Sequence, residues 1–263
     1  PSEAAPSDTA SPSEAAPSGS ESDHPDLKEG SCESDSLKTI TAHSGPKVLP
    51  VSASDKSTIT ITAHSGPKVL YCGNFGNMHD SATLFEYWRQ RGSDTPVAFS
   101  QDGEKRQECR FYFSCSGPKR AAVETERAQL PAALQQQIQL GGGLSQEDWI
   151  TTMKAADVAL VTMVPGSETV VMPSKTYSAM MAGQAILAIA PEDSDLVDLI
   201  KAADCGWFVE PGDVVGLAKV IEAICSDSEG VLQKRGNAFQ YAHAHLGQDA
   251  LAKDWARALR AEA

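Results

Sequence analysis

Residues 170–191 read Val-Val-Met-Pro-Ser-Lys-Thr-Tyr-Ser-Ala-Met-Met-Ala-Gly-Gln-Ala-Ile-Leu-Ala-Ile-Ala-Pro, and their pattern decides the fold. The order is loop, short helix, tight turn, buried strand. Pro173 fixes φ ahead of a helix, and Ser174 beside it suits the N-cap. Residues 176–182 are a small-residue helix, and Gly183 stands where a helix stops in the left-handed conformation. Residues 185–190 are an unbroken apolar run, the signature of a strand covered on both faces of a parallel sheet. A helix N-terminus after such a loop offers free N–H groups and a partial positive charge, which suits a phosphate; Lys175 adds a full charge there.

Outward from this stretch, strands and helices alternate. Toward the N-terminus, strands are expected at 158–163, 137–140, 110–114 and 69–72. Between them lie a helix that starts at the Ser145-Gln-Glu-Asp148 capping pattern, one from Arg120, and one over 80–91 with Leu84, Tyr87 and Trp88 on a single face. Residues 91–108 are polar and read as a loop or weak edge element. Toward the C-terminus come a helix from Ser194, a strand at 206–209, a helix at 214–225, and one or two amphipathic helices over 231–263. Such alternation implies βαβ units and a Rossmann-like, doubly wound parallel α/β sheet, with ligands at the carboxyl ends of the strands.

The chain has 263 residues and a formal net charge of −13, which argues against non-specific nucleic-acid binding and against docking on anionic lipid. Residues 1–36 hold nine carboxylates against Lys28, a net −8, so about −5 is left for the rest. This Pro-, Ser- and Ala-rich segment, in which Pro-Ser-Glu-Ala-Ala-Pro-Ser occurs at 1–7 and 12–18, cannot bury enough apolar area to offset chain entropy; it reads as a disordered tail. The peptide Thr-Ile-Thr-Ala-His-Ser-Gly-Pro-Lys-Val-Leu stands at 39–49 and again at 60–70, and only the second copy runs on into a core strand. The domains expected are therefore an acidic tail at 1–36, a duplicated linker peptide at 37–67 and a Rossmann-like domain at 68–263. No apolar run approaches the roughly 20 residues of a membrane span, and the N-terminus lacks the basic start and apolar core of a secretory signal. Six scattered cysteines without a Cys-x-x-Cys pair fit reduced thiols and a cytoplasmic address better than a disulfide frame or zinc site. The first residue is Pro rather than Met, which admits a fragment or a processed product.

The ordered set Tyr71-Cys-Gly-Asn-Phe-Gly-Asn-Met-His-Asp80, Ser116-Gly-Pro-Lys-Arg120, Leu144-Ser-Gln-Glu-Asp-Trp149, Ala156-Asp-Val-Ala-Leu-Val161, Pro173-Ser-Lys-Thr-Tyr177, Met181-Ala-Gly183 and Val209-Glu-Pro-Gly-Asp213 resembles the nucleotide-sugar half of a GT-B glycosyltransferase, of the family 4 type found in bacterial polysaccharide synthesis. The resemblance runs from about Val69 to the C-terminus. It implies one of two facing Rossmann-like domains, the one that holds a nucleoside-diphosphate sugar as donor substrate, with no metal and no further cofactor. The acceptor domain, which usually carries much of the catalytic machinery, has no counterpart ahead of Val69. Many relatives carry two glutamates around the Pro-Ser-Lys segment; here Ser178 takes the second position and Glu168 lies near the first, out of register. Where relatives often offer Arg or Lys from the first loop, this chain has Asn77, Met78 and His79.

The resemblance implies donor contacts from Gly73, Asn74, Gly76, Asn77, Lys119, Gly143, Leu144, Pro173, Ser174, Lys175 and Tyr177. Gly73 and Gly76 let backbone approach a phosphate, although alone they would be an ordinary strand-to-helix turn. Lys119 either reaches a phosphate or decorates an exposed helix start. Ser174 and Lys175 are the strongest candidates. Gly143 and Leu144 could frame the base through backbone groups, or simply form a turn. His79 is a lone histidine at a helix start and reads as solvated; Asp157, heading a strand, reads as structural. His243 and His245 do not share a helix face and make a poor metal pair. No catalytic residue is assigned. The function expected is transfer of a sugar from a nucleoside diphosphate to an acceptor, with a separate acceptor-domain chain as a possible partner. The alternatives are a non-catalytic interaction subunit or truncated remnant, and a sugar-nucleotide epimerase, for which no acid/base pair is evident.

Overall fold

The computed structural model describes residue 61, residues 66–93 and residues 108–261. The acidic segment, the first copy of the duplicated peptide, most of the linker and the polar stretch at 94–107 lie outside the described residues.

The elements in chain order are β1 (Lys68–Asn74), α1 (Ala82–Gly92), β2 (Arg110–Ser116), α2 (Arg120–Gln129), α3 (Ala132–Gln137), β3 (Ile138–Gly141), α4 (Gln146–Ala155), β4 (Val158–Thr162), α5 (Lys175–Met181), β5 (Ala185–Ile189), α6 (Asp195–Ala203), β6 (Gly206–Val209), α7 (Val214–Ser226), α8 (Ser228–His245) and α9 (Gln248–Ala261). All the ladders are parallel, and the strand order is β3-β2-β1-β4-β5-β6. The chain winds outward from β1 to β3, returns through α4, and winds outward again from β4 to β6. This is the doubly wound sheet expected, and its order reverses between β1 and β4.

Period-2 alternation divides the core into two layers. Val69 and Tyr71, Phe111 and Phe113, Leu160, Leu187 and Ile189 pack with α1, α2 and α7 on one face. Leu70, Tyr112, Ala159, Val161, Ile186 and Ala188 pack with α4, α5, α6 and α8 on the other. Every residue of β4 and β5 is buried, which is why both read as continuous apolar runs. The helix starts follow side-chain caps: Ser145 accepts from the Asp148 N–H at 3.1 Å, and Ser194 from the Val197 N–H at 3.4 Å. Gly183 ends α5 with φ 72°, as its position predicts. The helix α3 escapes the sequence reading because none of its residues is buried, so no apolar stripe announces it.

The ladder between β1 and β4 registers only Val69 with Val158 and Leu70 with Ala159, and is the shortest in the sheet. At its lower end Asp157 binds the Lys68 N–H (3.0 Å), the Lys68 Nζ (2.9 Å) and an Arg235 nitrogen from α8 (2.8 Å), so the structural role expected of it holds. At its upper end the two strands part.

Candidate functional site

The parting of β1 and β4 is the topological switch point, where the loops leaving the two strands run to opposite faces of the sheet and where open α/β sheets bind their ligands. Gly73, the next-to-last residue of β1, has a φ of 130° that bars side chains, and after Asn74 the chain turns through Phe75 and Gly76 toward α1. Gly117 in the β2–α2 turn packs against this loop. A Cβ there would overlap the Asn74 side chain and lie 3.0 Å from the Phe75 carbonyl oxygen, and its φ is 98°. The two loops are laced by the Phe75 N–H to the Ser116 carbonyl (2.7 Å) and the Lys119 N–H to the Phe75 carbonyl (3.0 Å).

Lys175, first residue of α5, crosses the switch point to the end of β1. A Cβ on Gly73 would sit 3.7 Å from its Cε. Its Nζ donates to the Tyr71 hydroxyl at 2.7 Å and lies 3.2 Å from His79 Nε2. The Tyr71 hydroxyl itself donates to the Asn74 carbonyl at 2.7 Å. His79 Nδ1 lies 2.8 Å from the Thr162 carbonyl oxygen, so the imidazole fills the gap where β4 has lost β1 as a neighbour. The Val164 N–H to Met78 carbonyl bond (3.0 Å) closes the same gap from the other side. From the β2 side, the Lys119 ammonium donates to the carbonyls of His79 and Asn77.

Among the described residues no carboxylate forms an ion pair with Lys175; its charge meets only neutral acceptors in a half-buried position. Burial pushes its pKa down to about 8. Burial, then the neighbouring Lys175 charge, lowers the His79 pKa as well, so His79 is neutral at pH 7. The Tyr71 hydroxyl is raised, chiefly by burial, and stays protonated. A desolvated cation with no ion-pair partner among the described residues marks this rim as the candidate site.

The profile of the family described as "Glycosyl transferases group 1" matches residues 66–227. The chain belongs to this family. A probable glycosyltransferase of Pseudomonas aeruginosa, WbjE, is 38% identical over 73 residues, which cover 28% of this chain and 18% of WbjE. Sucrose-phosphate synthase from Thermosynechococcus elongatus superposes with a TM-score of 0.56 at 19% identity, over 74% of this chain and 45% of that one. HepE of Anabaena, captured with UDP-glucose, superposes with a TM-score of 0.55 at 14% identity, over 74% and 49% of the two chains. The chain thus spans less than half of the length of each of these relatives, and the structural likeness concerns the fold.

Within this group 1 fold the sequence-derived candidates do not all behave alike. Gly73, Asn74, Gly76, Asn77, Lys119 and Lys175 come together around the switch point. Pro173, Ser174 and Tyr177 flank Lys175 in the chain; Pro173 is buried, while Ser174 and Tyr177 are exposed. Gly143 and Leu144 follow β3, where the Ser114 hydroxyl donates to the Gly142 carbonyl at 2.9 Å. A Cβ on Gly143 would meet nothing within 4 Å, so no close approach requires glycine there.

Three expectations are corrected. Ser174 adopts a helical backbone (φ −58°, ψ −25°) and its hydroxyl makes no cap bond, so it stands at the helix start without serving it. The α5 helix has seven residues, and its Thr176 N–H is not free as expected but bonded to the Pro173 carbonyl at 3.0 Å. His79 is not merely solvated; it is wired to β4 and to Lys175. Sequence reasoning also missed Tyr71, which looks like an ordinary core aromatic, and Arg120. The Arg120 guanidinium donates to the Cys115 carbonyl at 2.9 Å and to that of Gly141, binding the ends of β2 and β3 beside the switch point. Glu168 keeps one carboxylate oxygen buried without a hydrogen-bond partner among the described residues. Among those residues no helix is long and apolar enough to cross a membrane.

Proposed function

We propose that this chain is the donor-binding half of a glycosyltransferase, which holds a nucleoside-diphosphate sugar for transfer to an acceptor carried elsewhere. The observation that carries the reading is the half-buried Lys175 ammonium beside Gly73 at the switch point, which has no ion-pair partner among the described residues. A diphosphate brings the countercharge that the site lacks, and Gly73 leaves room for its oxygens. In transfer, the departing diphosphate gains negative charge. Lys175, with Lys119 on the adjoining loop, stabilises that charge in place, which lowers the barrier without acid/base chemistry from this half. The Gly76-to-Asn77 turn and the backbone at Gly143 and Leu144 supply the remaining edges of the donor cleft. The buried Glu168 oxygen is an acceptor suited to a sugar hydroxyl. The free thiols of Cys72, Cys109, Cys115, Cys205 and Cys225 fit the cytoplasmic address expected from the sequence.

Titration calorimetry with a panel of nucleoside diphosphates tests this reading. Binding of at least one, weakened by salt, is expected. The absence of heat with all of them, from a chain with a folded circular dichroism spectrum, overturns it. Ser178, which stands where the resemblance expects the second of two glutamates, favours a second reading as a non-catalytic interaction subunit. A sugar-transfer assay with and without proteins co-purified from the source separates the two.

A further inference from the structure

We infer that Tyr71 and His79 are positioning residues: together they form a two-acceptor seat that keeps Lys175 charged and leaves one of its N–H groups for the anion at the Gly73 rim. The inference rests on the diphosphate reading of the site proposed above.

The protons of both acceptors are committed elsewhere. The Tyr71 hydroxyl spends its hydrogen on the Asn74 carbonyl (2.7 Å), so only lone pairs face Lys175 Nζ, 2.7 Å away. The Thr162 carbonyl, 2.8 Å from His79 Nδ1, can only accept, so Nδ1 carries the imidazole proton and Nε2 presents its lone pair to Nζ at 3.2 Å. An ammonium has three N–H groups. Two fill the seat and the third is left over. A neutral amine fills the seat with both of its hydrogens and has none for a phosphate oxygen. The seat therefore distinguishes the binding-competent form of Lys175 from the incompetent one.

The groups that face Lys175 are Tyr71 and Cys72 from β1, His79 from the following loop and Cys115 from β2, with the Lys119 ammonium behind His79. Burial raises the thiols of Cys72 and Cys115, so both are neutral at pH 7. Among the described residues no neighbour supplies a full countercharge, and holding the proton falls to the two acceptors. A histidine with a fixed tautomer does this without becoming a rival cation, since its own pKa is lowered by burial and by Lys175.

The test uses the full chain and three variants: His79→Phe, which keeps the ring contacts but removes the acceptor; His79→Gln, which can restore an acceptor near the Nε2 position; and Tyr71→Phe. Two readouts are taken from pH 7 to 10. One is the titration of Lys175 by carbon NMR of its Cε in the ligand-free protein. The other is affinity for UDP and for inorganic pyrophosphate. The wild type is expected to titrate near pH 8, His79→Phe and Tyr71→Phe about one unit or more lower, and His79→Gln near the wild type. The alkaline loss of UDP affinity should move with each. If Lys175 titrates alike in the wild type and both Phe variants, the seat is refuted. If the titration moves but the affinity limb does not, the positioning role is refuted. If neither UDP nor pyrophosphate binds the wild type, the donor-binding reading and the anion role fall together, while the Lys175 titration still decides whether the seat exists.

Discussion

A lysine held half-buried beside two neutral acceptors makes the site's chemistry depend on one proton. Replacing Lys175 with Met removes a charge-assisted contact, and nucleoside-diphosphate affinity should fall by about 10- to 100-fold in calorimetry with the fold retained. The linkage also has a sign. The Lys175 pKa drops from its ordinary 10.5 to about 8 on folding, so between those values the unfolded chain binds more protons than the native one. Its contribution to stability therefore rises with pH from about 8 to 10.5, and below about 8 the charged form costs the ligand-free fold in full. Thermal melts in that window should show an upward component in the wild type that the Lys175→Met variant lacks. Lys175 itself was legible in the sequence, because a cation stood just after a strand-ending loop. The seat was not. Tyr71 and Thr162 lie 91 residues apart in the numbering, and nothing local in Tyr-Cys-Gly-Asn or Val-Thr-Met says that one imidazole will join them. Hydrogen-bond partners across a switch point are a product of topology, not of neighbouring letters.

At the scale of elements, the strands and most helices follow from period and punctuation. The fully apolar 185–189 run becomes β5, the Ser145 and Ser194 caps open α4 and α6, and α3 alone hides because it buries nothing. The turns that build the site are less forgiving than the helices. Gly117 sits at a positive φ with the Asn74 side chain and Phe75 carbonyl pressed against it, so Gly117→Ala should destabilise the chain by at least about 1–2 kcal/mol in urea unfolding. The same change should weaken diphosphate binding, because the β1–α1 loop has to move to admit the methyl group. The sequence marked Gly73, Gly76 and Gly143 as the functional glycines and passed over Gly117. The reason is physical: the tight approach is between two loops 42 residues apart, and a single loop read alone does not contain it.

Among the described helices, the C-terminal α9 buries little of itself. Leu251, Trp255 and Leu259 of α9 form one stripe at four-residue spacing and are 44%, 67% and 64% exposed. Ending the chain at Gly247 should lower the melting temperature by less than about 4 °C, the equivalent of about 1 kcal/mol, while the far-ultraviolet spectrum loses one helix. The sheet, by contrast, has an uneven grain. Each half of it, β1 to β3 and β4 to β6, is sewn by ladders of at least four residue pairs, whereas the two halves meet along two. Below that meeting line Asp157 acts as a rivet; above it the fastenings at the gap include a histidine ring, one amide and the Lys175 ammonium on Tyr71. A ligand lodged there would touch the turn that leaves one half and the lysine that begins the other half's first helix. It would work as one more fastening, so that occupancy and mechanical cohesion of the sheet become the same event.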